Sequence, residues 1–113
     1  MLPEINRLKK EKDFEKVFKK GKGSKEDFLY LKVVKNNLEN SRFGFIISKK
    51  FSNKAVIRNK IRRRLSRLIE IKLPKIKKGI DVAITVMPGL EIGDFWELED
   101  KMNKLFKKSG IIR

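Results

Sequence analysis

The residues best suited to chemistry are basic side chains concentrated between residues 41 and 69, a stretch that contains no Asp or Glu. Arginine dominates its second half, and a guanidinium can hold a phosphate or a base edge through two parallel hydrogen bonds. A charge run is usually a solvated face balanced by opposite charges nearby, but this segment lacks the balancing acids. The pattern therefore indicates contact with a polyanion. The candidate contact residues are Lys49, Lys50, Lys54, Arg58, Asn59, Lys60, Arg62, Arg63 and Arg67.

The sequence offers no conventional catalytic site. Its 113 residues include no His and no Cys, which removes the usual general base, the usual zinc ligands and disulfides. The Gly-rich segment at residues 21–25 departs from a P-loop, because Gly23 follows Lys22 where that motif needs Ser or Thr. Carboxylates are present, but none has the spacing of metal ligands. We therefore expect neither a catalytic residue nor a metal held by the protein.

The whole chain is strongly basic, with 30 Lys+Arg against 14 Asp+Glu and a net charge of +16. Such a charge repels itself in a small protein and favours a polyanionic partner. Nucleic acid is the first candidate, and an anionic membrane surface or an acidic protein is the alternative. The longest uncharged stretch, residues 82–90, is far shorter than the ~20 apolar residues of a membrane span. With no secretory signal at the N-terminus either, we expect a cytoplasmic protein with no membrane span, and nucleic acid rather than a membrane as its partner.

The elements that must position these residues form one domain over residues 1–113, since 40% hydrophobic residues suffice for a modest core. Apolar periodicity predicts three helices, and β-branched and aromatic runs predict three strands. The predicted helices cover residues 13–20, 53–72 and 94–108, and the predicted strands cover residues 28–35, 43–48 and 80–86. Helices are thus expected to pack on a small mixed sheet.

The connections between these elements carry further expectations. Asparagines at residues 36–40 predict a turn and an antiparallel hairpin between the first two strands. Residues 21–25 are predicted to form a flexible turn. The second strand, the long helix and the third strand form a β-α-β unit whose strands can pair in parallel. A basic arm, residues 1–12, has only scattered apolar residues and is expected to stay loose until a partner orders it.

Helical geometry divides the long helix into an apolar stripe and two basic flanks. The stripe consists of Ile57, Ile61, Leu65, Leu68 and Ile69. One flank carries Arg58 and Arg62, and the other carries Lys60, Arg63 and Arg67. The helix can therefore meet a polyanion along two edges. Ser52 or Asn53 is the predicted N-cap.

Aromatic residues are the second ingredient of a nucleic-acid site. Phe14 and Phe18 share one face of the first helix, and Tyr30 lies in the first predicted strand. One interpretation makes them core residues, which is the default for a Phe pair at helical spacing. The other makes them an open surface on which bases or ribose stack. The sequence leaves both interpretations open.

Residues 54–63, KAVIRNKIRR, preceded by Ser48-Lys49-Lys50, resemble the RNR signature of the bacterial ribonuclease P protein component. Residues 7–21 are similar to the N-terminal segment of that family, and the match extends over nearly the whole chain. The resemblance implies the protein subunit of a ribonucleoprotein that cuts the 5′ leader from precursor tRNA. It also implies that the RNA subunit supplies the active site, with Mg²⁺. The implied partners are ribonuclease P RNA and the precursor tRNA leader, not DNA.

The resemblance implies roles for particular residues. Arg58, Asn59, Arg62 and Arg63 match the signature that faces the catalytic RNA. Phe14 and Phe18 match aromatics of a cleft that holds the single-stranded leader, and we assign Tyr30 to the same cleft. The chain departs from the family pattern at Lys60, Arg64 and Ser66, where the family commonly has Arg, an apolar residue and Arg. Arg67 is the candidate to replace the contact expected at residue 66.

The implied fold is an α+β two-layer sandwich with the element order α-β-β-β-α-β-α. It has a mixed sheet of about four strands and a left-handed β-α-β crossover, although such crossovers are right-handed in about 98% of proteins. The alternative function is a ribosome-associated or structural RNA-binding protein without a role in catalysis. Composition alone does not separate these two functions, whereas the signature favours the first.

Overall fold

The computed structural model describes residues 2–88 and 95–112 and has the expected α-β-β-β-α-β-α order. The helices are α1 (Glu11–Lys20), α2 (Ala55–Lys72) and α3 (Phe95–Ser109), and the strands are β1 (Lys22–Glu26), β2 (Leu29–Lys35), β3 (Arg42–Ile47) and β4 (Ile80–Val86). Two short 3₁₀ turns, Glu4–Asn6 and Leu73–Lys75, complete the described elements. The mixed α+β fold is confirmed.

The four strands form one sheet in the order β1-β2-β4-β3. The β3–β4 pair is parallel, as the β-α-β unit predicted, and the other two pairs are antiparallel. The predicted hairpin between β2 and β3 is wrong, because β4 lies between them. The apolar, β-branched sequence of β4 suits this interior position, where only Thr85 is not fully buried. The left-handed crossover stays a prediction.

Residues 22–26 form an edge strand instead of the predicted flexible turn. The strand pairs with β2 along its whole length, and Asp27 makes the tight connection with a φ of +48°. Lys108 of α3 supports it by donating to the carbonyl oxygen of Lys25 at 2.9 Å. The charged, Gly-containing sequence has no apolar alternation and therefore gave no strand signal, although charge is common on edge strands.

The sheet is covered differently on its two faces. One face packs against α2 and α3 and holds the main core, to which α3 contributes Leu98, Met102, Leu105 and Phe106. The side chain of Phe95 and the predicted helix start at residue 94 lie outside the described residues. The other face carries α1, whose Val17 is fully buried beside Leu8 and Ala83. No helix in the described part of the chain is long and apolar enough to cross a membrane.

The N-terminal arm packs on the domain, which differs from the expectation of a loose segment. Leu2 and Leu8 are buried, and the Leu8 N–H donates to the Phe43 carbonyl at 2.9 Å. The buried Asn6 amide donates to the Ser41 carbonyl at 2.8 Å. The apolar residues of the arm follow neither a helical nor a strand period, so their pattern did not indicate burial.

Candidate nucleic-acid interface

The apolar stripe of α2 fixes which side chains of that helix face outward. Ile61, Leu65 and Ile69 are buried against the sheet, while Ile57 and Leu68 are half-buried. The predicted stripe is therefore confirmed. Ser66 is only 4% exposed and lies on the buried side of the helix, so it does not present a contact surface to a partner.

The first basic flank of α2 carries Arg58 and Arg62, and Asn59 lies between the two flanks. Nη1 of Arg58 donates to the carbonyl oxygen of Ser52 at 2.8 Å, which ties the segment before the helix to its first turn. Nη1 of Arg62 donates to Oδ1 of Asn59 at 3.2 Å. A guanidinium has five N–H donors, so both arginines keep donors for phosphate oxygens. The flank is thus pre-positioned by contacts within the chain.

The second basic flank lines a surface cavity with a volume of about 280 Å³. Its described lining residues are all basic, namely Lys60, Arg63, Arg64 and Arg67. Nη1 of Arg67 also pairs with Oε1 of Glu70 at 2.7 Å, one helical turn away. The structure therefore brings together the three residues predicted for this flank. Arg64, to which the sequence assigned no contact, lies in the same surface.

The segment that leads into α2 is a tight turn, and the predicted side-chain N-cap is wrong. The N-cap position is Lys54, which makes no side-chain capping bond, while Ser52 Oγ accepts the Lys54 N–H at 3.2 Å. Half-buried Phe51 anchors the turn on the main core. Lys49, Lys50 and Lys54 remain exposed immediately before the helix. Together with the partial positive charge of a helix N-terminus, they favour an anion.

The face of the sheet under α1 carries the aromatic residues. Phe14 packs directly on Gly44 of β3, where a Cβ atom would overlap its ring. Phe14 and Phe18 are half-buried against the small cluster of Leu8, Val17 and Ala83. They therefore contribute to packing and also keep an exposed portion. The positions of Phe14 and Phe18 are therefore compatible both with a role in the core and with an open aromatic surface.

A half-buried row of side chains continues this face. Thr85 pairs with Tyr30 on one side and with Ile46 on the other, and all three are half-buried. The neighbouring row, Lys32–Ala83–Gly44, lies under α1, where Lys32 Nζ donates to the Phe18 carbonyl at 2.6 Å. We call the row of Tyr30, Thr85 and Ile46, together with the rings of Phe14 and Phe18 and the ammonium of Lys32, the cleft. Tyr30 belongs to this cleft, while Leu29 and Leu31 face the main core.

Arg42 belongs to the acid-free stretch but finds its acids elsewhere in the chain. Its Nε and Nη2 donate to the two carboxylate oxygens of Asp81 at 2.8 and 2.6 Å, and its Nη1 lies 3.3 Å from Asp13. The hydrogen bond to Asp81 and the two nearby carboxylates raise the pKa of Arg42, against the opposing effect of burial. Arg42 therefore holds α1 on the sheet and is not part of the basic surface of α2.

The carboxylates within the described residues do not cluster into a metal site. Across residues 2–88 and 95–112, no three His, Cys, Asp or Glu side chains come together as ligands for an ion. Two of these acids instead form ion pairs, Asp81 with Arg42 and Asp27 with Lys101. The described basic surfaces support binding of an anion.

Comparison with known proteins shows which family the chain belongs to. The family model named Ribonuclease P matches residues 2–110. The chain belongs to the ribonuclease P protein family. Its relatives include the ribonuclease P protein components of Pseudanabaena sp., 33% identical with 99% of this chain and 97% of the relative covered, and of Synechocystis sp., 35% identical with 98% and 90% covered.

Solved structures of ribonuclease P proteins have the same fold. The protein from Thermotoga maritima has a TM-score of 0.79 at 29% identity, with 90% of this chain and 96% of that chain covered. The protein from Staphylococcus aureus has a TM-score of 0.84 at 22% identity, with 96% and 98% covered, a likeness that concerns the fold alone. The family assignment made from the RNR signature is confirmed.

Proposed function

We propose that this family member is the RNA-binding subunit of a ribonuclease P that removes the 5′ leader from precursor tRNA. The observation that carries the proposal is the separation of two surfaces on opposite layers of one small domain. The basic flanks of α2 lie on the layer below the sheet, and the aromatic cleft lies beside α1 on the other face. One molecule can therefore hold a folded RNA and a single strand together.

The α2 surface is suited to the phosphate backbone of the catalytic RNA. Its two flanks and the exposed lysines before the helix place several cations along one element, and phosphate neutralisation supplies most sequence-independent affinity for nucleic acid. Arg58 and Arg62 are oriented by bonds within the chain, so less side-chain freedom is lost on binding. We assign the whole surface to assembly with the RNA subunit. Its members are Lys49, Lys50, Lys54, Arg58, Asn59, Lys60, Arg62, Arg63 and Arg67.

The cleft is suited to the single-stranded leader. Stacking on an aromatic ring is tolerant of base identity, as a subunit that processes many tRNAs requires. Phe14, Phe18 and Tyr30 supply rings that are partly exposed. Half-buried Thr85 and Ile46 continue this surface next to Tyr30. The cleft thereby adds affinity for precursor over mature tRNA.

The chemical step belongs to the RNA subunit in this proposal. The described carboxylates do not fit a metal held by the protein, because no three of them converge. We therefore assign the Mg²⁺ ions of the reaction to the RNA, and the protein contributes charge neutralisation and leader capture. The enzyme as a whole is an endoribonuclease of the cytoplasm, where precursor tRNA is processed.

The proposal is tested by adding the purified protein to a bacterial ribonuclease P RNA with a leader-bearing precursor tRNA at low Mg²⁺. We expect stimulated cleavage at the 5′ end, because the protein replaces part of the charge screening that Mg²⁺ provides. The double variant Arg58→Ala/Arg62→Ala is expected to lose most of the stimulation. A control, Lys104→Ala/Lys107→Ala, removes the same charge from exposed positions of α3 and is expected to keep it. Absence of stimulation, with sedimentation on ribosomal subunits, would instead favour the structural RNA-binding alternative.

A further inference from the structure

Gly23 leaves a gap in the edge strand that the side chain of Tyr30 fills. A Cβ atom at Gly23 would overlap the hydroxyl oxygen of Tyr30 and stand 2.9 Å from its Cζ. Tyr30 lies on β2, one strand further in, and is paired with Lys25 rather than with Gly23. Its phenol therefore extends diagonally from β2 over β1, so that its hydroxyl end covers the glycine.

Backbone geometry does not account for a glycine at residue 23. The described glycines with a positive φ are Gly79 and Gly110, so any residue can adopt the conformation of Gly23. Glycine within a strand weakens it, since it has no side chain to pack and loses more conformational freedom on folding. The space taken by Tyr30 is the structural reason for a glycine at residue 23.

The position of the phenol determines how the cleft ends at the β1 edge. Because the ring extends over β1, the aromatic surface continues past β2 to the edge of the sheet. Lys25 lies on the same face, directly opposite Tyr30, and its side chain is exposed. An aromatic surface beside an exposed ammonium matches one nucleotide of a single strand, with the base on the ring and a phosphate near the cation.

We propose that Gly23, Lys25 and Tyr30 form an edge subsite for one nucleotide of single-stranded RNA, in which Gly23 acts as a positioning residue for Tyr30. The inference rests on the proposed function, because the leader is the strand that would occupy the subsite. Lys25 supplies the contact to phosphate, and the strand leaves the cleft over β1.

The test measures binding of a leader-bearing precursor tRNA and of the same tRNA without a leader to the reconstituted ribonucleoprotein. Gly23→Ala is expected to weaken precursor binding about fivefold, since displacement of the ring loses part of a stacking interaction. Binding of the leaderless tRNA is expected to be unchanged. The melting temperature of the protein is expected to stay the same or rise, because alanine suits a strand better than glycine.

A double-mutant cycle shows whether Gly23 acts through Tyr30. In a Tyr30→Ala background, the additional change Gly23→Ala is expected to have no further effect on precursor binding. Lys25→Ala is expected to weaken precursor binding about threefold through loss of one phosphate contact. Its matched control is Lys22→Ala, which removes an equal charge from the same strand, where the side chain points to the other face.

The edge subsite and the proposed function fail with different experimental results. If the wild-type protein gives no preference for the leader-bearing tRNA, the proposed function fails and the subsite fails with it. If the preference is present but Gly23→Ala and Lys25→Ala both preserve it, the edge subsite alone is refuted. An equal loss from Gly23→Ala with and without the Tyr30 ring would refute the positioning role. Should Gly23→Ala fail to fold, Lys25→Ala against Lys22→Ala still decides whether the subsite exists.

Discussion

Arg42 and Asp81 form an ion pair that joins the edge strand β3 to the central strand β4. Two hydrogen bonds of 2.8 and 2.6 Å connect the guanidinium to a carboxylate that is only 2% exposed. Asn36 donates to the same carboxylate at 2.8 Å, and Asp13 of α1 approaches the guanidinium at 3.3 Å. A single arginine thus fixes β3, β4 and the first turn of α1 relative to one another.

The first prediction is that Arg42→Ala lowers the free energy of unfolding by about 3–5 kcal/mol, because it leaves the Asp81 carboxylate buried without its cation. Urea unfolding followed by circular dichroism measures the change. Lys35→Ala at the exposed end of β2 is the control and is expected to stay within about 0.5 kcal/mol of the wild type. A loss below about 1 kcal/mol for Arg42→Ala would show that the pair does not stabilise the sheet.

The second prediction concerns the contact between Arg42 and Asp13. Asp13→Ala loosens the N-terminal turn of α1 and is expected to weaken leader-dependent binding about twofold to threefold, as a partly exposed ion pair contributes up to about 1 kcal/mol. Glu11→Ala is the control, since it removes the same charge from the same helix at an exposed position. Precursor affinity of the two variants is compared in the reconstituted ribonucleoprotein. Equal affinities would mean that the contact does not set the cleft wall.

The third prediction is a pH dependence at the turn between β1 and β2. The hydrogen bond and charge of Lys101 lower the pKa of Asp27 from its ordinary 3.8. Because the folded-state pKa is the lower one, the stabilisation is complete above the ordinary value and is lost as the pH falls through the folded-state value. Asp27→Asn is therefore expected to lower the melting temperature at pH 7, by an amount that shrinks as the pH falls through the acid range.

Asparagine is the suitable replacement at residue 27, because it tolerates the left-handed φ of +48° that Asp27 adopts. Thermal unfolding between pH 7 and pH 2 measures the difference between variant and wild type. Glu39→Gln, an exposed carboxylate in another turn, serves as the control. A difference that persists unchanged at the lowest pH would contradict an electrostatic origin.

The fourth prediction is the salt dependence of binding to the catalytic RNA. About six phosphate contacts from α2 and the segment before it give a slope of log affinity against log salt near −4, at ~0.7 per contact. Arg63→Ala is expected to reduce the magnitude of the slope by about 0.7, whereas Lys107→Ala on α3 leaves it unchanged. Filter binding over a range of KCl concentrations provides the slopes. Equal slopes for both variants would show that net charge, and not the α2 surface, governs binding.

Local patterns predicted the elements that carry the site. The stripe from Ile57 to Ile69 placed α2 within two residues of its observed start and at its observed end. The apolar run of β4 gave both of its boundaries, residues 80–86. These features repeat over several turns or a whole strand, so the sequence alone contains enough signal to locate them.

Features that depend on distant partners were not predictable in this way. Arg42 looked like one more unbalanced cation because its partner, Asp81, lies 39 residues away in the sequence. The edge strand β1 has no apolar alternation, and its existence depends on pairing with β2. The hairpin expected from the asparagines was wrong because Asn36 forms hydrogen bonds at the start of the intervening strand β4. Its N–H donates to the Gly79 carbonyl, and its side-chain amide donates to the Asp81 carboxylate.

The central claim is that the protein increases the affinity for precursor tRNA by capturing its leader. The most direct measurement is the affinity of the RNA subunit, with and without the protein, for tRNAs that carry no leader or a leader of increasing length. We expect the protein to raise affinity about tenfold or more for a leader that spans the cleft and to have little effect on leaderless tRNA. Phe18→Ala is expected to reduce this gain. An equal gain for both tRNAs, or no gain for either, would contradict the claim.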